Sequence, residues 1–161
     1  MIRGDVIADV GSDHAYLPIW LYLNKKIKKA YALDISENCV NRVKTNIEKY
    51  NISHDIIVPV LSDGLACFDS EFDFSELTDI IIAGMGGENI AGIIRQTLVK
   101  RRVGVAAPYI NFILQPNSKM RFLREFLREN DFDILEDIII ESKKRRYIVI
   151  NARLRGQGQD D

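Results

Sequence analysis

The chain has 161 residues, of which 47% are apolar and 28% charged, with a net charge of −1. That length and composition fit one domain with a full hydrophobic core and exclude a disordered chain. No apolar run reaches about 18 residues, which argues against a membrane-spanning helix, and Asp5 and Asp9 break any secretory signal pattern.

The first element is a strand over 6–10, Val6-Ile7-Ala8-Asp9-Val10, followed by a turn at Gly11. A helix begins near Ser12 or Asp13, either of which is suited to be its N-cap. Leu17, Trp20, Leu21 and Leu23 form its apolar face up to Lys25, and Pro18 falls in the tolerant first turn. Ala30 to Asp34 is a second strand ending in an acid. Ser36 caps the next helix, whose Val40, Val43, Ile47 and Tyr50 recur near a period of 3.6 and which ends at Asn51. Ile56 to Leu61 is a third strand, and Pro59 suits it to a sheet edge.

Ser62-Asp63-Gly64-Leu65 is the turn after that strand. Asp79 to Ala83 is a β-branched central strand running into Gly84-Met85-Gly86-Gly87, then a helix to about Val99. Asn111 to Leu114 is a fifth strand, closed by a Gln115-Pro116-Asn117 turn. Residues 119–129 form a helix with Phe122, Leu123, Phe126 and Leu127 on one face. Residues 134–141 and 146–152 are two strands whose short link permits only an antiparallel hairpin. The fold class expected is α/β: a Rossmann-like, mostly parallel sheet with a C-terminal antiparallel hairpin, over residues 1–155. Residues 156–161 read as a loose polar tail.

The opening strand–turn–helix places a ligand at the carboxyl end of a parallel strand. A dinucleotide pyrophosphate wants a glycine-rich turn, but only Gly11 is present, and carboxylates at Asp9 and Asp13 would repel it. S-adenosylmethionine has no phosphate and carries an ammonium and a sulfonium, which those carboxylates suit. Gly11 lets the backbone approach, and the helix start after Ser12 favours the ligand's carboxylate. Asp34 lies 23 residues beyond Gly11, where an acid accepts from ribose hydroxyls. Asp63, ending the third strand, is placed to meet the adenine amino group.

Five blocks then carry a resemblance: residues 9–18, 32–35, 62–65, 83–87 and 114–117. In this order they resemble the bacterial tRNA adenine-N1 methyltransferases that modify adenine 22, the TrmK-like class I methyltransferases. The resemblance implies S-adenosylmethionine as donor and tRNA as acceptor. It adds Ile35, Gly64, Ala83, Gly84, Met85 and Gly86 to Asp9, Gly11, Ser12, Asp13, His14, Asp34 and Asp63 as donor-binding residues. Members of that family usually have a short helix before the first strand and a helical extension after the sheet, and neither is expected in residues 1–161. Other readings left open are a methyltransferase for another acceptor and a cofactor-binding RNA module inactive without that extension.

Adenine N1 has an in-plane lone pair and needs positioning more than a strong base. Gln115 and Asn117 carry amides able to pair with an adenine edge, and His14 can sit beside the ligand carboxylate or the acceptor base. Basic runs at 25–29, 100–102 and 143–146 are candidates for tRNA phosphates. Cys39 and Cys67 are far apart and read as reduced thiols, and His14 and His54 lack metal-ligand spacing. A cytoplasmic protein without a metal is expected, and its oligomeric state is not readable.

Overall fold

The computed structural model describes residues 1–69, 71–102 and 110–155, and for residues 69, 97 and 99–102 the backbone alone. Among the described residues, seven strands form one sheet in the order β3-β2-β1-β4-β5-β7-β6. They are β1 Val6–Val10, β2 Lys29–Asp34, β3 Ile57–Leu61, β4 Asp79–Gly86, β5 Asn111–Ser118, β6 Phe132–Ser142 and β7 Arg145–Leu154. The helices are α1 Tyr16–Leu23, α2 Glu37–Lys49, α3 Gly87–Arg102 and α4 Met120–Glu129. The expected α/β sheet is present, with β1 parallel to β2 and β2 to β3, and with β7 antiparallel to both β5 and β6. The chain divides into two compact units, Ile2–Ile81 and Met1 with Ile82–Asp161.

In the first unit, β1 and β2 are nearly continuous apolar runs, as strands covered on both faces must be. Ile7, Ala8, Ala30, Ala32 and Leu33 are wholly buried. Pro59 lies on β3, which ends the sheet, so its missing N–H costs no ladder bond there. An aromatic cluster of Tyr31, Phe68, Phe72 and Phe74 packs edge-on around the base of β2. Asp79 is fully buried and accepts the backbone N–H groups of Arg3 and Gly4, which fixes the entry into β1.

Helix α2 forms as read. Ser36 accepts from the Cys39 N–H, Val40, Val43 and Ile47 are buried, and Asn51 takes a left-handed φ of 53° after the last turn. Helix α1 corrects the expectation. Its buried residues are Pro18, Ile19 and Leu21, while Leu17, Trp20 and Leu23 are exposed. All of its residues are apolar or aromatic, so composition could not separate the two faces.

In the second unit, α4 buries Leu123, Phe126 and Leu127. Phe122 does not join them; it lines an open cavity with Arg95, Glu125 and Asn130. Phe112 and Phe132 meet edge to face at 5.3 Å. The β6–β7 hairpin turns on Lys143 and Lys144, both with positive φ, the conformation a two-residue turn imposes on right-twisted strands. Strand β5 continues through Gln115, Pro116 and Asn117 to Ser118, so the expected turn is extended strand. Strand β4 likewise runs three residues past Ala83, and α3 starts at Gly87. The tail, 156–161, lies outside the described residues.

Candidate active site

Strand register brings three acidic strand ends to one edge of the first unit. Val10 pairs with Leu33 and Asp34 with Leu61, so the turns after β1, β2 and β3 leave the sheet side by side. Asp9 is 8% exposed, and its Oδ2 accepts from the Ser12 hydroxyl at 2.5 Å. Burial pushes its carboxyl up to about 6 from the ordinary 3.8, against the lowering effect of that bond. A carboxylate taken out of water with one hydroxyl for company has unused capacity for a cation.

The loop after β1 is unusual. Gly11 has φ 77°, and two consecutive non-glycine residues, His14 at 65° and Ala15 at 52°, are also left-handed. Each of those two costs about 1–2 kcal/mol for an L-residue. The loop is secured by the Gly11 and Ser12 N–H groups, both donating to the Leu33 carbonyl at 2.8 and 2.9 Å, and by Asn46 Nδ2 donating to the His14 carbonyl at 2.8 Å. Ser12 therefore does not cap the helix with its hydroxyl; it turns back to Asp9, and a 3-10 turn over Asp13–Ala15 precedes α1. Asp13 is half exposed and bonds Arg42 Nε at 2.9 Å, which holds its carboxyl below the usual range. The His14 ring stacks on Tyr16 with centroids 5.2 Å apart and planes 9° apart.

Asp34 ends β2, where its Oδ1 accepts the Ser36 N–H at 2.9 Å. Ile35, directly after it, is 70% exposed, an apolar surface a flat ring can cover. The turn after β3 is organised by the buried Ser62. Its hydroxyl donates to the Gly64 carbonyl at 3.1 Å and accepts from the Cys67 N–H at 3.1 Å. Asp63 stands exposed at that turn, and Gly64 has φ 57°.

In the second unit, the ends of β4 and β5 carry an amide relay. The Gly84 N–H donates to Gln115 Oε1 at 2.9 Å, and Gln115 Nε2 donates to Asn117 Oδ1 at 3.0 Å. This chain of bonds fixes which way both amides face. Gly84 has φ 77° with open space where a Cβ would stand, whereas a Cβ on Gly87 would lie 2.6 Å from the Lys119 carbonyl oxygen. Ala83 is exposed, and Met85 and Gly86 are half-buried. Gln115 and Asn117 are thus brought together; the order of the amides was not readable, because the sequence shows the residues but not which lone pair each one uses.

The basic runs separate in the structure. Lys28 pairs with Asp5, Lys29 with Glu76 and Arg146 with Glu141, while Lys25, Lys26, Lys143, Lys144 and Arg145 are exposed. The side chains of the 100–102 run lie outside the described residues. Among the described residues, no group of three or more His, Cys, Asp and Glu is disposed to hold a metal, and no helix is long and apolar enough to cross a membrane. Sequence reasoning missed Arg42 and Asn46. The available signal was Asn46, a polar residue on the buried face of α2 between Val43 and Ile47.

Comparison with known proteins gives the same outline. A family model described as a methyltransferase domain matches residues 1–150. The tRNA (adenine(22)-N(1))-methyltransferase of Bacillus subtilis is 34% identical over 150 residues, covering 93% of this chain and 59% of that protein. The crystal structure of the B. subtilis M1A22 tRNA methyltransferase TrmK matches with a TM-score of 0.81 at 32% identity, covering 96% of this chain and 62% of that one. M. capricolum TrmK in complex with S-adenosyl-homocysteine matches with a TM-score of 0.80 at 28% identity, covering 95% and 63%. The chain spans about 60% of the length of the curated relatives it matches. A parallel sheet closed by an antiparallel hairpin, an acidic one-glycine turn and a match over residues 1–150 converge, and the chain belongs to the methyltransferase-domain family.

Proposed function

We propose that this chain binds S-adenosylmethionine through the turns after β1, β2 and β3 and transfers its methyl group to N1 of an adenine, position 22, in tRNA. The observation that carries the reading is the buried Asp9 carboxylate. Its charge is unfavourable in the protein alone, with Ser12 its one hydrogen-bond partner among the described residues, and a ligand bearing an ammonium and a sulfonium restores what burial removes. The likeness to relatives named as tRNA m1A22 methyltransferases suggests the acceptor, and the likeness to M. capricolum TrmK in complex with S-adenosyl-homocysteine supports the same donor. Such an enzyme works in the cytoplasm, where tRNA is.

The residues fit that donor. Asp9 takes the ammonium, and Gly11, lacking a side chain, lets the ligand approach the backbone. Ser12 keeps Asp9 oriented, and Asp13 adds a second carboxylate kept ionised by Arg42. Asp34 accepts from ribose hydroxyls with the lone pairs that Ser36 leaves. Ile35 covers a face of the adenine, Asp63 accepts from its amino group, and Gly64 gives the ring room.

When bound, S-adenosylmethionine supplies an electrophilic methyl: the adenine N1 lone pair forms the N–C bond as the C–S pair returns to sulfur. Neutral adenine carries no proton on N1, so no general base is assigned. Positioning is what the chain contributes. Gln115, oriented by the Gly84 N–H, holds Asn117, and the second lone pair on Asn117 Oδ1 accepts from the exocyclic amine of the target base. Ala83, Gly84, Met85 and Gly86, donor-binding residues by the family resemblance, also leave room for a flat base to meet the sulfonium. His14, stacked on Tyr16, stays in the loop after β1, where its ring edge can meet the donor's carboxylate. The base must leave its stack in folded tRNA, and the exposed Lys143, Lys144 and Arg145 take backbone phosphates while it does.

The test is incubation of the full chain with unmodified tRNA and labelled donor, followed by nucleoside analysis. The expected product is N1-methyladenine at position 22. Donor binding without methylated tRNA contradicts the catalytic reading and favours a donor-binding module. Methylation of a different acceptor contradicts the tRNA assignment alone.

A further inference from the structure

We propose that Asn46, on α2, is a positioning residue for the donor loop, acting through the backbone of His14 rather than on the donor itself. This rests on the donor-binding reading above. The reasoning starts from conformation. His14 and Ala15 are consecutive left-handed residues with φ/ψ of 65/−9° and 52/30°, and neither is glycine. Left to itself this segment relaxes, because L-residues disfavour that region, and Ala15 has no polar side chain to compensate locally.

Something outside the loop must over-determine it. Among the α2 side chains that reach the loop, two lie one helical turn apart: Arg42 Nε donates to the Asp13 carboxylate at 2.9 Å and Asn46 Nδ2 to the His14 carbonyl at 2.8 Å. They are not equivalent. The Arg42–Asp13 pair is about half exposed on both sides and weakened by solvent and salt. Asn46 is 8% exposed and sits between the buried Val43 and Ile47. Its amide is fixed by packing and bonds the carbonyl of the first left-handed residue. A polar side chain there is otherwise unfavourable on the buried face of a helix, and the bond to His14 is what makes it tolerable.

The consequence for the donor is geometric. The same loop carries Gly11 and Ser12, whose N–H groups both converge on Leu33, and Ser12 in turn orients Asp9. If His14 and Ala15 relax to right-handed conformations, the peptide planes between Ser12 and Tyr16 rotate and the preorganised loop is lost. Asn46 thus stores the loop in its binding conformation before the donor arrives, so the donor does not have to order it.

The experiment uses the full chain and S-adenosylhomocysteine as probe, with calorimetry and amide hydrogen exchange on four proteins: unmutated, Asn46→Leu, Ala15→Gly and the double variant. Asn46→Leu keeps the volume and removes the donor group; it is expected to weaken binding about tenfold, the loss of one partly buried hydrogen bond. It should also speed exchange of the Gly11 and Ser12 amides while amides of the β6–β7 hairpin keep their protection. Glycine occupies left-handed backbone without strain, so Ala15→Gly alone should stay within about threefold, and in the double variant it should recover most of the lost affinity. A merely structural asparagine would not be rescued in this way. Binding within twofold in Asn46→Leu with unchanged loop exchange overturns the proposal, as does a loss that Ala15→Gly does not recover. If the unmutated chain does not bind the probe, the donor reading fails, and the exchange comparison alone decides whether Asn46 holds the loop.

Discussion

The turn after β1 and the ends of β4 and β5 solve opposite problems with opposite means. The first is closed and over-determined. Left-handed non-glycine residues, a buried carboxylate and convergent N–H groups leave the loop from Gly11 to Ala15 little freedom. The second is open. Gly84 is exposed with nothing where its side chain would be, and the polar groups are side-chain amides in a short relay. A rigid backbone suits a ligand that is the same in every turnover. On the reading proposed above, an open surface with two fixed amides suits a base delivered by a large partner.

The largest expected effect tests the closed side. Asp9→Asn should weaken S-adenosylmethionine binding by about 100-fold, since a buried charge partner is lost. The same change should make the ligand-free protein more stable at pH 7. The Asp9 carboxyl is raised from 3.8 to about 6 in the fold, so the native state binds its proton more tightly than the unfolded chain. Stability from this group is therefore fully present below pH 4 and is lost as the pH rises through 6, by at most about 3 kcal/mol. The asparagine variant should lack that loss. Opposite signs for binding and stability, read by calorimetry and urea unfolding, separate a ligand-directed acid from a structural one.

Next in size is the open side. Asn117→Ala and Gln115→Ala should each lower kcat by about 10- to 100-fold, the range for one base-directed hydrogen-bond pair. Donor affinity should stay within twofold in both, as measured by steady-state kinetics beside calorimetry. A matching loss of donor affinity would blur the comparison and move both amides to the donor.

The third prediction is a pH profile. Donor binding needs Asp9 ionised, so affinity should fall about tenfold from pH 7 to pH 5, with a midpoint near 6, and be flatter in Asp9→Asn. Since the pKa rises from burial, the profile should not move with salt as a surface pair would. The smallest effect concerns RNA. Lys143→Ala and Lys144→Ala should each weaken tRNA binding only a few-fold and lower the salt dependence by about one counterion per lysine.

The sheet was legible because β-branched runs and acidic strand ends repeat along the chain. The parallel strands, the Pro59 edge and the hairpin all follow from local pattern. Strand ends were harder. Gln115-Pro116-Asn117 reads as a turn because proline and asparagine favour turns, yet here it extends β5 and so sets the two amides along one strand. The faces of α1 were invisible because Leu17, Trp20 and Leu23 are as apolar as the buried Ile19 and Leu21. The acidic residues of the turns after β1, β2 and β3 could be listed from sequence, but the division of labour among them could not. Asp13 is drawn to Arg42 while Asp9 is sealed with Ser12, a distinction that needs the three-dimensional neighbours. Asn46 was hidden for the same reason, since its partner is a carbonyl 32 residues earlier.

The central question is whether the acidic turn after β1 holds a cationic donor. Calorimetric titration of S-adenosylmethionine into the unmutated chain and Asp9→Asn at pH 7 tests it most directly. Saturable binding to the first and a loss of about 100-fold in the second are expected, with the folded state of both verified by their unfolding curves. Equal affinity for the two proteins would contradict the donor reading.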